Sequence, residues 1–487
     1  MPGLDALFVN VGGTRKKIYQ ELSKDFAGIE LPSWVALTAG FIRKKGYEID
    51  ILDANLMGLD AKETADTIIK RDPKFTGIVV YGQQANTSSP TMVGVRELCN
   101  EIKKQDPDRK VIVTGWHPSA LPERTIKEER CDFVGQGEGF YIYQGLLEGK
   151  KFSEIPGLWW RENGSIRHNP SPKNIENLTE ELSDIPWDLL PMGQYRAYNW
   201  HALADLETRT QYASLYTSFG CPFGCNFCSI HANFGEKRIR TWEPEWVLKQ
   251  IDHLVKDYDI KHLKINDEMF VFNPKHFMSI VDGLIERDYG LNITAFARVD
   301  ATKEEYLEKF KKAGINWLQF GIETGNDNII REIHKGKYTK EDIKEIVKKI
   351  HGAGINLCAN FMFGFPQDTY DTMQETLNLA FELKPAFPSF FCVMANPGSE
   401  LYNDVIKREW KLPETWDGYA QQGYAFLPIQ TEHLSAEEVL KFRDYAFNSY
   451  FRNPGYHNMI ERKFGKKARE HIVEMAKHDL KRKALGD

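Results

Sequence analysis

Hydrophobic and polar positions alternate along the first 150 residues in a strand–helix rhythm. Amphipathic stretches with helical spacing, such as Trp34–Lys45 and Val93–Lys104, separate short apolar runs that are rich in Val and Ile. These runs predict buried strands at Ala6–Val11, Glu48–Asp53, Thr76–Tyr81 and Lys110–Thr114, with a fifth starting at Asp132–Val134. Buried strands separated by helices predict a parallel sheet with helices on both faces, so we expect a Rossmann-like α/β domain here.

The predicted carboxyl ends of these strands carry glycines and small polar residues. Ligands of open parallel sheets bind beyond these ends, and glycine lets a large ligand approach the backbone closely. The segments concerned are Gly12-Gly13, Asp53–Gly58, Gly82–Ser89, Gly115–Pro118 and Gly135–Glu138. The N-terminal domain is therefore expected to bind a large ligand at this edge.

The alternation returns with a longer period between residues 212 and 398. Helical stretches such as Glu245–Tyr258 and Lys340–Ala353 lie between strand candidates, which end at Gly220, Asp267, Arg298, Glu323, Phe365 and Asn396. Six strand–helix units predict a partial (β/α)6 barrel of the TIM type, whose chemistry gathers at the carboxyl ends of the strands.

Two further segments complete the predicted organisation. Residues 151–211 read as a connector that begins with a hairpin around Asn163-Gly164. Residues 399–487 are mainly helical by pattern and rich in aromatic side chains, and we expect them to cover the mouth of the barrel. The predicted boundaries are thus 1–150, 151–211, 212–398 and 399–487.

Composition narrows the classes of function. The formal net charge of -6 over 487 residues argues against nucleic-acid binding, and the basic stretches near the C-terminus alternate with apolar residues like a solvated helix face. No apolar run is long enough to span a bilayer, and Met1–Gly12 reads as a strand rather than a signal peptide. We expect a cytoplasmic protein without a transmembrane segment.

Three of the seven cysteines fall within eight residues, in the run Cys221-Pro-Phe-Gly-Cys225-Asn-Phe-Cys228. The other four are scattered and read as small buried hydrophobic side chains. Thiolates at a C-x₃-C-x₂-C spacing in one loop suit an iron–sulfur cluster, copper or zinc. Structural zinc normally takes four ligands, and His231 is the nearest candidate for a fourth. Three buried thiols without a metal are the remaining alternative.

This run resembles the C-x₃-C-x-aromatic-C signature of the radical S-adenosylmethionine superfamily, with Phe227 as the aromatic residue. The resemblance implies a [4Fe-4S] cluster on the three cysteines, with one iron open to S-adenosylmethionine. It also implies reductive cleavage of that molecule to a 5′-deoxyadenosyl radical, and hence a one-electron donor such as flavodoxin or ferredoxin.

The same resemblance implies contacts to S-adenosylmethionine at later strand ends. Asp267 and Glu268 match the position that binds its amino group, and a helix N-terminal cap is the other interpretation. Arg298 matches the residue that binds its carboxylate, with an ion pair to Asp300 as the structural alternative. Glu323 lies in a Gly-x-Glu-Thr-Gly motif, and Gly364 lies in the segment expected along the adenine.

The N-terminal domain resembles cobalamin-binding domains. Asp53-Ala-Asn55-Leu-Met-Gly58 matches their D-x-H-x-x-G motif except that Asn55 replaces the cobalt-ligating His, which leaves the lower face of the cobalt unassigned, with Gln83 or Gln84 near it. The remaining expected cobalamin contacts are Gly12, Ser88, Gly115, His117, Gly135, Gly137 and Glu138. For His117, a hydrogen bond or a structural role is favoured over metal ligation. A flavodoxin-like domain that binds another nucleotide or no ligand is the alternative.

The overall pattern over residues 5–400 resembles the cobalamin-dependent radical enzymes grouped with the anaerobic magnesium-protoporphyrin IX monomethyl ester cyclase. The resemblance implies methylation of an unactivated carbon of a small-molecule or lipid-like substrate. Oxidation, cyclisation or ring contraction with the same cofactors is the alternative outcome. A sensor or electron carrier without turnover is the alternative from another class.

Overall fold

The structure is a computed structural model that describes residues 3–81 and 87–487 as two α/β units and a helical C-terminal segment. The N-terminal strands are β1 (Ala6–Asn10), β2 (Ile49–Asp53), β3 (Phe75–Val80), β4 (Lys110–Gly115), β5 (Phe133–Gly135), β6 (Leu158–Glu162) and β7 (Ser165–His168). The helices of this part and of the connector are α1 (Arg15–Tyr19), α2 (Ser33–Lys44), α3 (Ala54–Met57), α4 (Ala61–Arg71), α5 (Ser88–Gln105), α6 (Trp116–Ala120), α7 (Pro122–Glu128), α8 (Phe140–Leu147) and α9 (Leu178–Glu181).

The second unit is a six-stranded parallel sheet with helices between its strands. Its strands, together with a two-stranded side ribbon, are β8 (Tyr212–Leu215), β9 (Ser218–Phe219), β10 (Arg240–Thr241), β11 (His262–Ile265), β12 (Asn292–Ala297), β13 (Ile315–Glu323), β14 (Asn356–Phe363) and β15 (Phe387–Cys392). Its helices are α10 (His231–Phe234), α11 (Pro244–Tyr258), α12 (Pro274–Arg287), α13 (Glu304–Lys312), α14 (Asp327–Glu332), α15 (Lys340–Gly352) and α16 (Tyr370–Leu383). The C-terminal segment contains α17 (Glu400–Lys407), α18 (Ala436–Phe451), α19 (Pro454–Phe464) and α20 (Lys466–Met475).

The N-terminal sheet has the order β2-β1-β3-β4-β5-β6-β7, and its first five strands are parallel. Strands such as β3 are continuous apolar runs that are buried almost throughout, as expected for a sheet covered on both faces. Helix α4 shows why the intervening stretches are helical, because Asp60 and Glu63 form a capping box and basic residues occupy the last turn. The predicted α/β fold is confirmed.

The hairpin at Asn163-Gly164 extends the N-terminal sheet, whereas the sequence placed it in a connector. Strand β6 pairs antiparallel with β5, and Trp160 lies opposite Phe133. Leu158 and Trp160 are buried on one face of β6, with the half-buried Trp159 between them, and this strand covers the edge of β5. The sheet therefore continues to residue 168, and the wrap between the two units begins after it.

The barrel sheet has the order β15-β14-β13-β12-β11-β8 with all neighbours parallel. Its first strand ends at Leu215, and the expected end at Gly220 was wrong. Asp267 explains the break, because its carboxylate accepts hydrogen bonds from the backbone N–H of Thr217 at 2.6 Å and from the Ser218 hydroxyl at 2.6 Å. Residues 218–219 then pair antiparallel with β10. The cysteine loop begins directly after this short strand.

The two units share one hydrophobic core. The indole of Trp34 on α2 stacks between the rings of Tyr81, at 4.1 Å, and Phe219, at 4.5 Å. Glu138 after β5 and Arg240 on β10 form an ion pair whose side chains are only 5% and 4% exposed. Within residues 3–81 and 87–487, no helix is both long and apolar enough to cross a membrane.

Candidate active site

The three clustered cysteines lie on a half-buried loop at the carboxyl end of the barrel sheet. The loop starts at Gly220, whose φ is +92° and whose missing side chain would meet the Arg238 carbonyl oxygen at 2.3 Å, so only glycine fits. Burial raises the pKa of the Cys221 thiol to about 11 and that of the Cys228 thiol to about 12. Without a metal centre these thiols stay protonated at neutral pH, and positive charge is required to make them ligands.

The fourth-ligand role considered for His231 has no support in the geometry. Its Nε2 lies 2.7 Å from the Phe223 carbonyl oxygen and its Nδ1 lies 3.1 Å from the Glu236 carbonyl oxygen. Both ring nitrogens are thus engaged by the backbone, which disfavours a zinc site of three thiols and this imidazole. In the described part of the chain, no three His, Cys, Asp or Glu side chains gather around a position for one metal ion.

Arg298 lies beside the cysteine loop. Its guanidinium donates to both carboxylate oxygens of Asp300 at 2.9 Å, and its Nη1 lies 3.6 Å from the Cys225 sulfur. The same group stacks over the Phe223 ring at 3.6 Å. The structure therefore contains the ion pair that the sequence offered as the alternative, and it also places this cation next to the cluster site.

Glu323 and Lys335 form a second charged pair next to the loop. Lys335 Nζ donates to Glu323 Oε1 at 2.8 Å, and both side chains are more than nine-tenths buried. Burial by itself lowers the pKa of Lys335, but the charges of Glu323 and Cys225 raise it above its usual range. Glu323 has a φ of +66°, which is strained for a residue with a side chain. Sequence reasoning missed Lys335, because a lysine in a polar loop carries no pattern that marks it as buried.

Asp267 and Glu268 have different environments. The Asp267 carboxylate accepts hydrogen bonds from Thr217 and Ser218, so it positions the segment that leads into the cysteine loop. Glu268 accepts one hydrogen bond from the Gly220 N–H at 3.1 Å. Burial, with a further contribution from the Asp267 charge, raises the pKa of Glu268 to about 8. Glu268 is therefore the carboxylate of the pair with capacity left for a ligand cation.

Gly364 follows β14 with a φ of +92°, and the neighbouring Phe365 ring meets Phe227 of the cysteine loop edge-on at 5.7 Å. The N–H groups of Gly364 and Phe365 both donate to Asp368 Oδ2, at 2.9 and 2.8 Å. Asp368 thereby holds this segment against the loop. The residues expected to line the adenine and the residues expected to hold the cluster are brought together.

Some of the residues expected to contact cobalamin face open space, and others form hydrogen bonds or packing contacts with the rest of the chain. Asn55 lines a cavity at the sheet edge, and Gly58 is exposed at the end of α3. Asp53 is buried and receives hydrogen bonds from Asn10 at 2.8 Å and Tyr195 at 3.0 Å. Gln83, like Gln84, lies outside the described residues. Of the D-x-H-x-x-G match, Asn55 therefore lines the cavity, and Asp53 anchors Tyr195 of the connector.

The later matches are mainly structural. Ser88 donates to the Val80 carbonyl at 2.6 Å, and His117 lies 2.9 Å from the Ser89 hydroxyl and edge-on to Trp416 at 4.3 Å. Burial and the charge of Arg124 lower the pKa of His117 to about 3, so it is neutral. Glu138 forms an ion pair with Arg240 and accepts a hydrogen bond from the Ile175 N–H.

The glycines of these matches allow chain segments to approach one another. A side-chain carbon at Gly12 would meet the Leu59 carbonyl oxygen at 2.3 Å, and one at Gly115 would meet the Val80 carbonyl oxygen at 2.1 Å. At Gly135 and Gly137 the obstacles are side chains, Thr114 at 2.7 Å and Pro172 at 2.9 Å. Close packing against the backbone at Gly12 and Gly115, and against side chains at Gly135 and Gly137, favours glycine at these positions.

A cavity of about 650 Å³ joins the edge of the N-terminal sheet to the lumen of the barrel. Asn10, Thr14 and Asn55 line its first end, whereas Phe227 and Glu323 line its barrel side. The C-terminal segment completes the wall through Tyr419, Gln421, Arg443, Asp444, His478, Asp479 and Leu480. Most of these residues were missed from the sequence, because polar side chains on helices and in loops carry no pattern that marks them as part of a cavity wall.

Two family models match the chain. The B12 binding domain matches residues 23–147, and the Radical SAM superfamily matches residues 215–380. An uncharacterized methyltransferase of Pyrococcus horikoshii is 28% identical over 87% of this chain and 88% of its own length. The anaerobic magnesium-protoporphyrin IX monomethyl ester cyclase of Rubrivivax gelatinosus is 25% identical over 80% of this chain and 68% of its own length.

Solved structures show the same fold. The radical S-adenosylmethionine methyltransferase TsrM from Kitasatospora setae, with cobalamin and a four-iron cluster bound, superposes with a TM-score of 0.69 at 15% identity, over 98% of this chain and 100% of its own. The cobalamin-dependent radical enzyme OxsB superposes with a TM-score of 0.65 at 17% identity, over 98% and 72% of the two chains. The two family models together show that this chain carries a B12-binding domain followed by a radical SAM domain.

Proposed function

We propose that this protein methylates an unactivated carbon of a small-molecule or lipid-like substrate, with a four-iron cluster, S-adenosylmethionine and cobalamin as its cofactors. The observation that carries the proposal is the single cavity that reaches from the edge of the B12-binding domain to Phe227 of the cysteine loop. One substrate in this cavity faces both domains. Relatives that are named methyltransferases, in Pyrococcus horikoshii and Streptomyces wedmorensis, support the same reaction class.

The residues of the loop fit an iron–sulfur cluster. Three thiols on one loop, with no fourth protein ligand beside them among the described residues, leave one iron of a four-iron cluster free for a small molecule. Arg298 and Lys335 place positive charge near Cys225, which suits an anionic set of thiolate ligands. Bound together, the cluster and S-adenosylmethionine supply the radical that takes hydrogen from the substrate, and cobalamin supplies the methyl group.

We assign the groups around the loop to S-adenosylmethionine by charge. The Glu268 carboxyl, buried and with one hydrogen bond, is suited to an ammonium group, which would favour its charged form. Arg298 and Lys335 are suited to a carboxylate, and Glu323 holds Lys335 in place. Gly364 offers backbone beside Phe227 for the adenine.

Cobalamin binding is assigned to the edge that carries Asn10, Thr14, Asn55 and Gly58. Asn10, Thr14 and Asn55 line the cavity, and Gly58 is exposed to solvent. Asn55 occupies the position at which cobalamin domains carry the cobalt-ligating His. Gly12, Ser88, Gly115, Gly135 and Gly137 shape this edge through contacts within the chain, as do His117 and Glu138. Their part in binding is to keep the edge open.

The C-terminal segment is fastened beside the cavity by contacts within itself and with the N-terminal unit. Arg482 is 1% exposed and donates to Asp444 at 3.0 Å and to the Gln421 carbonyl at 2.9 Å. The amide of Gln20, in the N-terminal unit, bonds to the backbone of Gln422 at 2.7 Å and of Lys481 at 3.0 Å. Closure of this kind protects reactive intermediates and strengthens electrostatic interactions in the site.

The first test is the cofactor content of the chain. The protein is purified without oxygen and reconstituted with iron, sulfide and hydroxocobalamin, beside Cys225→Ala and the matched control Cys99→Ala, a buried thiol outside the loop. We expect about four irons and about one cobalamin per chain, with iron lost but cobalamin retained in Cys225→Ala only. Iron without cobalamin in the wild-type chain would contradict methylation.

Product analysis separates methylation from the second candidate. The chain is also similar to two cyclases, from Rubrivivax gelatinosus and Cereibacter sphaeroides, which favours oxidation or cyclisation with the same cofactors as the alternative. Only methylation produces S-adenosylhomocysteine in proportion to product. Absence of 5′-deoxyadenosine under a strong reductant would instead support a sensor or electron carrier. A flavodoxin or ferredoxin remains our proposed donor of the electron.

A further inference from the structure

The barrel lumen carries polar side chains where such barrels normally carry aliphatic ones. Lys264 on β11, Gln319 on β13 and Asn360 on β14 all line the cavity. Lumens of this fold are usually filled by layers of Val, Ile and Leu. Lys264 and Gln319 are buried and Asn360 is half-buried, so hydrogen-bonding groups that they do not use within the chain can be paired by a ligand in the cavity.

Glu30 balances the charge of Lys264. This glutamate precedes α2 in the N-terminal unit and reaches the lumen, where Lys264 Nζ donates to its Oε1 at 3.0 Å and the Tyr212 hydroxyl donates to its Oε2 at 2.5 Å. The side chains of Lys264 and Glu30 are only 6% and 10% exposed. A buried pair of this kind has no net charge.

The pair and its neighbours have unused hydrogen-bonding capacity. Lys264 carries three N–H donors, and in the described part of the chain only Glu30 accepts one of them. Gln319 donates weakly to Thr294 at 3.4 Å, and neither its carbonyl oxygen nor the Asn360 amide bonds to another described residue. The wall therefore offers donors and acceptors in the same place.

Three other charged pairs lie on the cavity wall, whereas Arg15, on the N-terminal side of the cavity, donates to the Ser23 carbonyl oxygen at 2.8 Å. Arg443 is bonded to Asp444 at 2.7 Å, Glu323 to Lys335 at 2.8 Å, and Asp479 to Arg452 at 2.6 Å. An anionic ligand group at Lys264 would lie beside the Glu30 carboxylate and be repelled by it. A neutral group that both accepts and donates hydrogen bonds meets no such repulsion.

We propose that the substrate of this enzyme carries a neutral head group with both a carbonyl acceptor and an N–H or O–H donor, such as a carboxamide or lactam, and that Lys264 and Glu30 select it against a carboxylate. The inference rests on the proposed function only in identifying the ligand as the substrate. Phe387, Phe391 and Trp200 line the same cavity, so an aromatic body suits the rest of the ligand.

The test uses 2-naphthamide and 2-naphthoate as matched probes on the reconstituted holoenzyme, with dissociation constants measured by isothermal titration calorimetry. We expect the wild-type chain to bind the amide at least about ten-fold more tightly than the acid. Glu30→Gln leaves the Lys264 charge unbalanced and reverses this preference, whereas Lys264→Met weakens binding of the amide. Glu207→Gln, which makes the same chemical change in an exposed ion pair with Lys467 outside the cavity, leaves the preference unchanged.

Equal binding of both probes, tighter binding of the acid by the wild-type chain, or no reversal in Glu30→Gln would each overturn the inference. So would failure of both probes to bind at millimolar concentration, because the cavity has room for either. Circular dichroism and cobalamin content show whether each variant is folded. If Lys264→Met does not fold, Lys264→Arg, which keeps the charge, replaces it. Cofactor content tests the proposed function separately, since a chain that loads iron and cobalamin but lacks the reversal contradicts only the head-group inference.

Discussion

Replacing Arg240 tests whether Glu138 serves the packing of the two units or the binding of cobalamin. The two side chains are 4% and 5% exposed, and Glu138 also accepts the Ile175 N–H at 2.9 Å. Arg240→Met leaves a buried carboxylate with that one backbone donor. Removing one partner of a buried ion pair costs about 3–5 kcal/mol of folding free energy.

Protonation limits this cost and gives it a pH dependence. Burial already raises the pKa of Glu138 even with Arg240 beside it, and loss of the guanidinium raises it further. When the pKa of a carboxyl is higher in the folded than in the unfolded state, the free energy of unfolding decreases as the pH rises toward and through the folded-state value. Arg240→Met is therefore expected to be more destabilising at pH 8 than at pH 6.

The assay is a double-mutant cycle in urea, followed by tryptophan fluorescence at pH 8. The double variant Glu138→Gln/Arg240→Met lacks the unpaired charge, so we expect it to be more stable than Arg240→Met alone, with a coupling of about 2–3 kcal/mol. Additive costs would refute the structural assignment. Loss of cobalamin from Glu138→Gln without loss of stability would show that this glutamate serves the ligand instead.

Three further predictions concern the cysteine loop and its surroundings. Burial raises the pKa of Asp368 from 3.8 to about 6, so its contribution to stability is complete below about pH 4 and is lost as the pH rises through about 6. In urea titrations across that range, the wild-type chain should lose up to about 3 kcal/mol of unfolding free energy relative to Asp368→Asn. Parallel pH profiles of the two chains would contradict this. Lys335→Met should weaken S-adenosylmethionine binding at least about ten-fold while iron content is unchanged, because it removes the cation proposed for the carboxylate of that ligand. Binding is measured by equilibrium dialysis, with the exposed Lys337→Met as the control. Unchanged affinity would show that Lys335 does not contact the ligand. Gly220→Ala should lower the iron bound per chain, because its side chain would meet the Arg238 carbonyl at 2.3 Å and displace the loop; full iron content would show that the loop adapts.

Periodicity was sufficient for the architecture but not for the ends of its elements. The strands of the parallel sheets follow from continuous apolar runs, which are local properties of the chain. The break after Leu215 depends on Asp267, which is 50 residues from Thr217 along the chain. The extension of the N-terminal sheet by Trp160 depends on the exposed edge of β5.

The sequence by itself determined the cysteine loop and the class of the two domains. Cys221, Cys225 and Cys228 lie on one loop, so their spacing alone limits how far apart their sulfurs can lie. Order and spacing of short motifs likewise indicated a B12-binding domain before a radical SAM domain, and the family models confirm it.

Only the tertiary structure decided which residues of those motifs remain available to a ligand. Asp53, Ser88 and Glu138 match ligand motifs yet bond to other parts of the chain, whereas Lys264 and Lys335 match no motif, and the structure places Lys264 in the cavity wall and Lys335 beside Glu323. The partners that decide whether such a polar side chain is already bonded lie between 8 and 234 residues away in sequence. Such pairings are fixed by packing, and a local pattern does not contain them.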